Sequence, residues 1–145
     1  MLVNIKKLNE NAKLPTYGTA YSAGCDLYAC MDEDISINPG ETKLIKTGLS
    51  MEIPENYAGL IYARSGLATK KGLAPANKVG VIDSDYRGEI MVALHNHSNE
   101  VQTILKNERI AQLVVTPFLK VEFNEVEDLN DTVRGADGFG STGTK

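Results

Sequence analysis

Scarcities narrow the field before any motif does. The 145 residues hold only two cysteines, Cys25 and Cys30, too few for a disulfide scaffold and without CxxC spacing. A reduced, cytoplasmic chain is the expectation, with both thiols serving as small core hydrophobes rather than nucleophiles. No run approaches the roughly 20 apolar residues that span a bilayer. Met1–Lys7 has no long apolar stretch behind a basic head, so no secretory leader is expected. Positive charge is also in short supply: 15 Lys and Arg against 19 Asp and Glu leave a net charge of −4. Binders of duplex nucleic acid usually carry a basic footprint, so neither nucleic acid nor membrane is an expected partner. A small anionic ligand stays open, because it needs only a local patch.

What is present points to strands. The length suits one domain, able to bury roughly 68–70% of its unfolded surface, and 42% hydrophobic with 23% charged residues is ordinary for a globular chain. Ile, Val and Thr number ten each, and β-branched side chains are stiff and pack well on a pleated surface. Apolar segments read as strands at 2–6, 25–29, 34–37, 42–47, 49–53, 57–63, 79–82, 89–95, 101–105, 110–116 and 118–126, with turn signals such as Asn38-Pro39-Gly40 between them. Ser65 to Lys71 is the one plausible helix, with Gly72 as its cap. About ten short strands with no repeat and no linker predict an all-β sandwich, jelly roll or barrel.

Several segments could carry chemistry. Arg64-Ser65-Gly66 sits where a strand gives way to the helix, which offers an anion site; alternatively Ser65 simply caps the helix. Asp83-Ser84-Asp85 reads as a hairpin tip, or as a carboxylate held ready as a general base. Asp26 lies in an otherwise apolar strand, where it needs a partner or a metal. The runs Asp32–Asp34 and Glu125–Asp131 read as solvated loops, and His95 with His97 lacks a third ligand for zinc. Four glycines between Gly135 and Gly143 mark the tail as a frayed terminus or as a phosphate-binding flap. No GK[ST] occurs, so it is not a Walker loop.

Taken in order, five segments resemble the motifs of the trimeric deoxyuridine triphosphatase (dUTPase) family. They are Ala23–Ala29 (AGCDLYA), Arg64–Ala68 (RSGLA), Gly80–Gly88 (GVIDSDYRG), Asn107–Leu113 (NERIAQL) and Arg134–Gly143 (RGADGFGSTG), which together span most of the chain. One departure is Ala63, where the family usually has Pro. The resemblance implies a distorted jelly-roll or β-clip barrel assembling as a homotrimer, with a β-domain over 1–130 and a glycine-rich flap over 131–145. It implies hydrolysis of dUTP to dUMP and pyrophosphate with Mg²⁺, by water attack on the α-phosphorus. That reaction keeps uracil out of DNA and supplies dUMP for thymidylate synthesis.

By motif position, the resemblance gives Asp83 the role of ordering and activating water. Asn77 and the backbone of Gly80, Val81, Ile82 and Asp83 would read uracil, Tyr86 would pack on deoxyribose, and Met91 would touch the nucleotide. Arg64, Ser65, Gly66 and Gln112 would hold phosphates, and Asp26 would support Mg²⁺ through water. In the flap, Phe139 would stack on uracil while Arg134, Gly140, Ser141 and Thr142 close over the phosphates. Two rivals remain: a dCTP deaminase-like enzyme of the same fold, and a non-catalytic nucleotide-binding switch protein.

Overall fold

Short strands separated by frequent turns leave no room for parallel crossovers, and every strand pairing is antiparallel. The computed structural model describes residues 1–138. In chain order its elements are β1 (Asn4–Lys7), β2 (Thr16–Tyr17), β3 (Cys25–Tyr28), β4 (Ile35–Ile37), β5 (Thr42–Lys46), β6 (Leu49–Glu52), β7 (Tyr57–Tyr62), α1 (Ser65–Lys71), β8 (Leu73–Pro75), β9 (Gly80–Ile82), β10 (Met91–Asn96), β11 (Gln102–Ile104) and β12 (Arg109–Pro117). Four sheets form, in the orders β2-β3-β12-β7-β9, β5-β10-β8, β1-β6 and β4-β11. This is the all-β jelly-roll architecture that the sequence predicts. No helix among the described residues is long and apolar enough to cross a membrane.

Period-two alternation builds the core. On β10, Val92, Leu94 and Asn96 point inward while Met91, Ala93 and His95 are half-buried on the other face. Leu27, Ile37, Ile45, Leu49, Leu73 and Leu94 are fully buried, each worth about 1.5–3 kcal/mol of apolar transfer. The buried amide of Asn96 ties the sheets together. Its Nδ2 donates to Ile37 O at 2.9 Å and Glu100 O at 2.8 Å, and its Oδ1 accepts from Ser98 N at 2.9 Å and Ser98 Oγ at 2.7 Å. The helix is the segment that the sequence predicts. Its end is set by Gly72, whose φ of 65° is left-handed and where a Cβ would lie 3.0 Å from Ser98 Cβ.

Four expectations need correction. Ser65 does not cap α1: the N-cap is Arg64, in an extended conformation without a side-chain cap bond. The Asp83–Asp85 segment is not a hairpin tip, because β9 pairs with β7 and β10 pairs with β5 and β8; it is a crossover between two sheets. β8 is an additional strand that its three residues hardly signal, and so is the two-residue β2, which lies in the polar stretch Asn9–Tyr21 that reads as loop and forms by pairing with β3. Residues 118–126 form no strand. Their alternation is real, with Leu119, Val121 and Phe123 at 90%, 59% and 95% exposure, but among the described residues no strand lies beside them.

The Asn96 network generates a stability prediction. Asn96→Ala removes a buried amide and four hydrogen bonds. Ser98 Oγ and Glu100 O keep each other at 3.0 Å, so Ile37 O is the buried acceptor left without this partner, at about 1–3 kcal/mol, with the lost bonds to Ser98 N and Glu100 O adding to it. Denaturant unfolding is expected to show a loss of about 3 kcal/mol; a loss below about 0.5 kcal/mol would remove Asn96 from this role.

Candidate active site

Asp26 lies on β3, between two fully or nearly buried neighbours, Cys25 and Leu27. A carboxylate so placed needs positive partners, and it has two. Arg64 Nε donates to Asp26 Oδ1 at 2.7 Å, and Arg109 Nη1 donates to Asp26 Oδ2 at 3.2 Å. Arg64 Nη1 also donates to Arg109 O at 3.3 Å. The three residues arrive from different strands: Asp26 from β3, Arg64 from just beyond β7, and Arg109 from the start of β12, where the β3–β12 register shifts. Two guanidinium groups against one carboxylate leave a net positive charge facing the cleft.

That cleft, about 420 Å³, is lined by Asp26, Arg64, Ser65, Gly66, Arg109 and Gln112 together with the Gly18–Gly24 loop. Gln112 lies beside Asp26 and Tyr62 in the sheet register. Its Nε2 donates to Ala63 O at 2.9 Å, which fixes the chain one residue before Arg64. Gly24 permits this: a Cβ there would lie 2.6 Å from Gln112 Oε1. The carbonyl bond anchors Ala63 without a proline ring.

A second cleft of about 220 Å³ is lined by Leu44, Val81, Ile82, Asp83, Tyr86, Glu89 and Met91. β9 is the outer strand of its sheet, so one row of its backbone N–H and C=O groups is free for a ligand. Asn77 Nδ2 sits near Gly80, 3.4 Å from where a Cβ would stand. Asp83 is exposed, and its carboxylate makes no hydrogen bond among the described residues. Tyr86 N donates to Asp83 O at 3.1 Å and Tyr86 Oη to Glu89 O at 3.0 Å, which seats the ring over the turn.

The structure therefore gathers the sequence-predicted residues into two groups. Asp26, Arg64, Ser65, Gly66 and Gln112 share one cleft; Val81, Ile82, Asp83, Tyr86 and Met91 share the other, with Asn77 and Gly80 alongside. Within one chain the groups stand apart. Ile82 pairs with Gly59 and Gly80 with Ile61, so Asp83 falls level with Ala58, six residues before Arg64, or roughly 20 Å at 3.3 Å per residue. Arg134 joins neither: it lies in an exposed turn, with Nε donating to Asp137 O at 2.8 Å. Phe139, Gly140, Ser141 and Thr142 lie outside the described residues.

Arg109, in the fourth motif, is a site residue with no local signal in the sequence; its link to Asp26 depends on strand register. The cysteines behave as expected. Burial pushes the Cys25 thiol up; burial first, then the nearby Glu89 carboxylate, does the same at Cys30. Neither is an activated nucleophile.

Among the described residues, no three His, Cys, Asp or Glu side chains converge on a possible metal position. Both Asp26 oxygens already accept a guanidinium N–H but keep free lone pairs. The donor set does not fit a direct protein cage, and with two guanidinium groups beside it, Asp26 could meet a cation only through water and only when an anionic ligand carries that cation into the cleft.

Comparison with known proteins agrees with this geometry. The family model described as dUTPase matches residues 10–143. The chain is 56% identical over 143 residues to the deoxyuridine 5'-triphosphate nucleotidohydrolase of Nautilia profundicola, covering 99% of each chain. It is 49% identical to that of Hahella chejuensis, covering 97% of this chain and 93% of the other. Among solved structures, a mutant dUTPase of Staphylococcus bacteriophage 80alpha with dUpNHpp superposes with a TM-score of 0.87 at 30% identity, covering 98% of both chains. A mutant dUTPase from phage phi11 of S. aureus, described as coordinating a structural Mg(II) ion, gives 0.78 at 27% identity, over 88% of this chain and 98% of the other. With the motifs in order, the two clefts formed by those motifs, and a family match across nearly the whole length, this chain belongs to the dUTPase family.

Proposed function

We propose that the chain hydrolyses dUTP to dUMP and pyrophosphate in the reduced cytoplasm, at sites assembled between three copies of itself. The observation that carries this reading is the division of one set of motif residues between two clefts at opposite ends of β7. The arginine-rich cleft suits a triphosphate, because guanidinium groups bind phosphate oxygens in a planar fork. The free edge of β9 and the Tyr86 ring suit a flat base and its sugar. A single nucleotide cannot bridge roughly 20 Å between Asp83 and the phosphates of its own chain. Pairing the arginine cleft of one copy with the Asp83 turn of the next removes that distance. The strand-patterned but unpaired residues 119–123 support the same assembly, since a neighbouring copy would cover them.

The residue roles follow from position. Asp83, exposed and without a side-chain hydrogen bond among the described residues, orients a water toward the α-phosphorus and accepts its proton. Arg64, Arg109, Ser65 and Gln112 neutralise and fix the triphosphate, so catalysis is largely positioning with electrostatic stabilisation. Mg²⁺, bound with the triphosphate, would neutralise its charge and fix its shape. Asp26 would meet the water shell of that ion while keeping both arginines in place. The β9 edge with Asn77 reads the uracil face, and Tyr86 leaves no space for a 2′-hydroxyl. Residues 131–145 form a flap that brings Arg134, Phe139, Gly140, Ser141 and Thr142 over the bound nucleotide and excludes bulk water.

With Mg²⁺, the purified protein is expected to release pyrophosphate from dUTP and to spare dTTP, dCTP and UTP; no turnover at micromolar enzyme would refute the reading. Asp83→Asn should bind dUTP and lose most turnover, whereas unchanged turnover would remove Asp83 from its role. Mixed assemblies of Asp83→Asn and Arg64→Ala chains should regain about a quarter of full activity, the share of junctions joining an intact arginine cleft to an intact Asp83 turn. Mixtures as inactive as their parents would reject shared sites. Deleting Arg134–Lys145 should leave the unfolding transition in place and cut turnover sharply; full activity would refute the flap.

A further inference from the structure

The turn that bears Asp83 and Tyr86 must be stiff if it is to reject thymine. In an apolar pocket that can relax, one extra methyl is worth only about 1–3 kcal/mol. Stiffness from backbone sources alone is limited here. The turn joins two different sheets, its residues are largely exposed, and its own backbone closure is the single Tyr86 N to Asp83 O bond. A further constraint comes from a side chain outside both sets of predicted site residues.

We infer that Arg87 is a positioning residue that locks the Asp83–Gly88 turn and thereby sets discrimination against 5-methylated bases. This rests on the dUTPase activity proposed above. Arg87 Nη1 uses both of its hydrogens inside the turn, donating to Ser84 O at 2.7 Å and to Tyr86 O at 3.0 Å. These carbonyls belong to the residues on either side of Asp85, so one guanidinium staples the residue after Asp83 to the residue that carries the sugar-facing ring. The staple is itself anchored. Ser50 and Glu52, two apart on β6 and so on one face, reach the same residue. Ser50 Oγ donates to Arg87 O at 2.7 Å, and Glu52 Oε1 lies 3.8 Å from Arg87 Nε. Asn4 Nδ2 of β1 donates to Glu52 Oε2 at 2.7 Å. The chain of contacts runs from the β1-β6 sheet to the turn, and of its members only Tyr86 lines the cleft. Gly88 completes it: a Cβ there would run into the Tyr86 ring.

Arg87 and Glu52 are each about half exposed (53% and 52%), so replacing Arg87 removes little buried area and the fold should persist. The ion pair itself contributes little at such exposure; the carbonyl staple is the part that matters. Arg87→Met keeps the stem and removes every donor. Arg87→Lys keeps a charged donor that can cap a carbonyl, without the fork.

The test measures kcat and KM on dUTP and dTTP for the wild type and both variants, with thermal unfolding and amide hydrogen exchange over residues 83–88. Arg87→Met is expected to unfold at the wild-type temperature and to exchange faster at Tyr86. Its kcat/KM on dUTP should drop about tenfold, and its dUTP-to-dTTP selectivity about tenfold, the worth of roughly one charge-assisted hydrogen bond. Arg87→Lys should recover most of the selectivity. Selectivity that stays at the wild-type value in Arg87→Met would overturn the inference even if dUTP turnover falls, and so would unchanged exchange at Tyr86. A wild-type protein that fails to hydrolyse dUTP would instead refute the proposed function, leaving the exchange measurement to judge the staple on its own.

Discussion

A carboxylate placed in the wall of a β-barrel must find its counter-charge, and much of this molecule follows from how Asp26 does so. Its neighbours Cys25 and Leu27 face the core, so Asp26 faces the opposite side of β3. There it draws Arg64 and Arg109 together from the ends of two other strands. Isolated guanidinium groups at those positions would swing freely in water. Held on a common carboxylate, they keep a fixed geometry, so little ordering entropy remains to be lost when an anion arrives. Gln112 serves the same end through Ala63, one residue from Arg64. The cleft is positive despite the chain's net charge of −4 because the field at a few ångströms is set by nearby groups, whereas distant acidic runs are screened.

The parts of this fold that were legible in the sequence are those with local causes. Ser65–Lys71 ends at Gly72 because a left-handed residue is needed there, and the sequence displays one. Strand positions follow from period-two alternation and turn residues. What the sequence hid depends on pairing. β8 is three residues long and exists because β10 lies beside it. Asp83–Asp85 resembles a hairpin tip from its composition, yet the strands on either side belong to different sheets. Residues 118–126 show how alternation can mislead: it records that a segment suits a strand, not that the same chain supplies the neighbour. Arg109 escaped for a related reason, since only the register between β3 and β12 brings it to Asp26.

The motif residues are legible through resemblance rather than through composition, and the geometry gives that resemblance a physical basis. The second, third and fourth motifs fall where backbone or side-chain donors are left over. β9 is a sheet edge with unpaired groups, Arg64 begins a helix just beyond a strand end, and Arg109 sits at a register shift. Binding functions gather at such positions because regular pairing has consumed the donors elsewhere.

The same sheet that supplies both clefts also keeps them apart. β7 separates Arg64 from Asp83 by the length of a strand, and no side-chain rotation shortens that. On the function proposed above, the arginine cleft is the phosphate end and the Asp83 turn the base-reading end, and their separation calls for a heterologous contact: the first end of one copy meets the second end of another. Such contacts must either close into a ring or propagate as a filament, and a closed ring has as many complete junctions as it has chains. In the proposed trimer, no arginine cleft and no Asp83 turn is left unmatched. On that proposal, the stiffness of the sheet, which from one chain alone looks like an obstacle to catalysis, is the reason for the chain to act as part of an assembly.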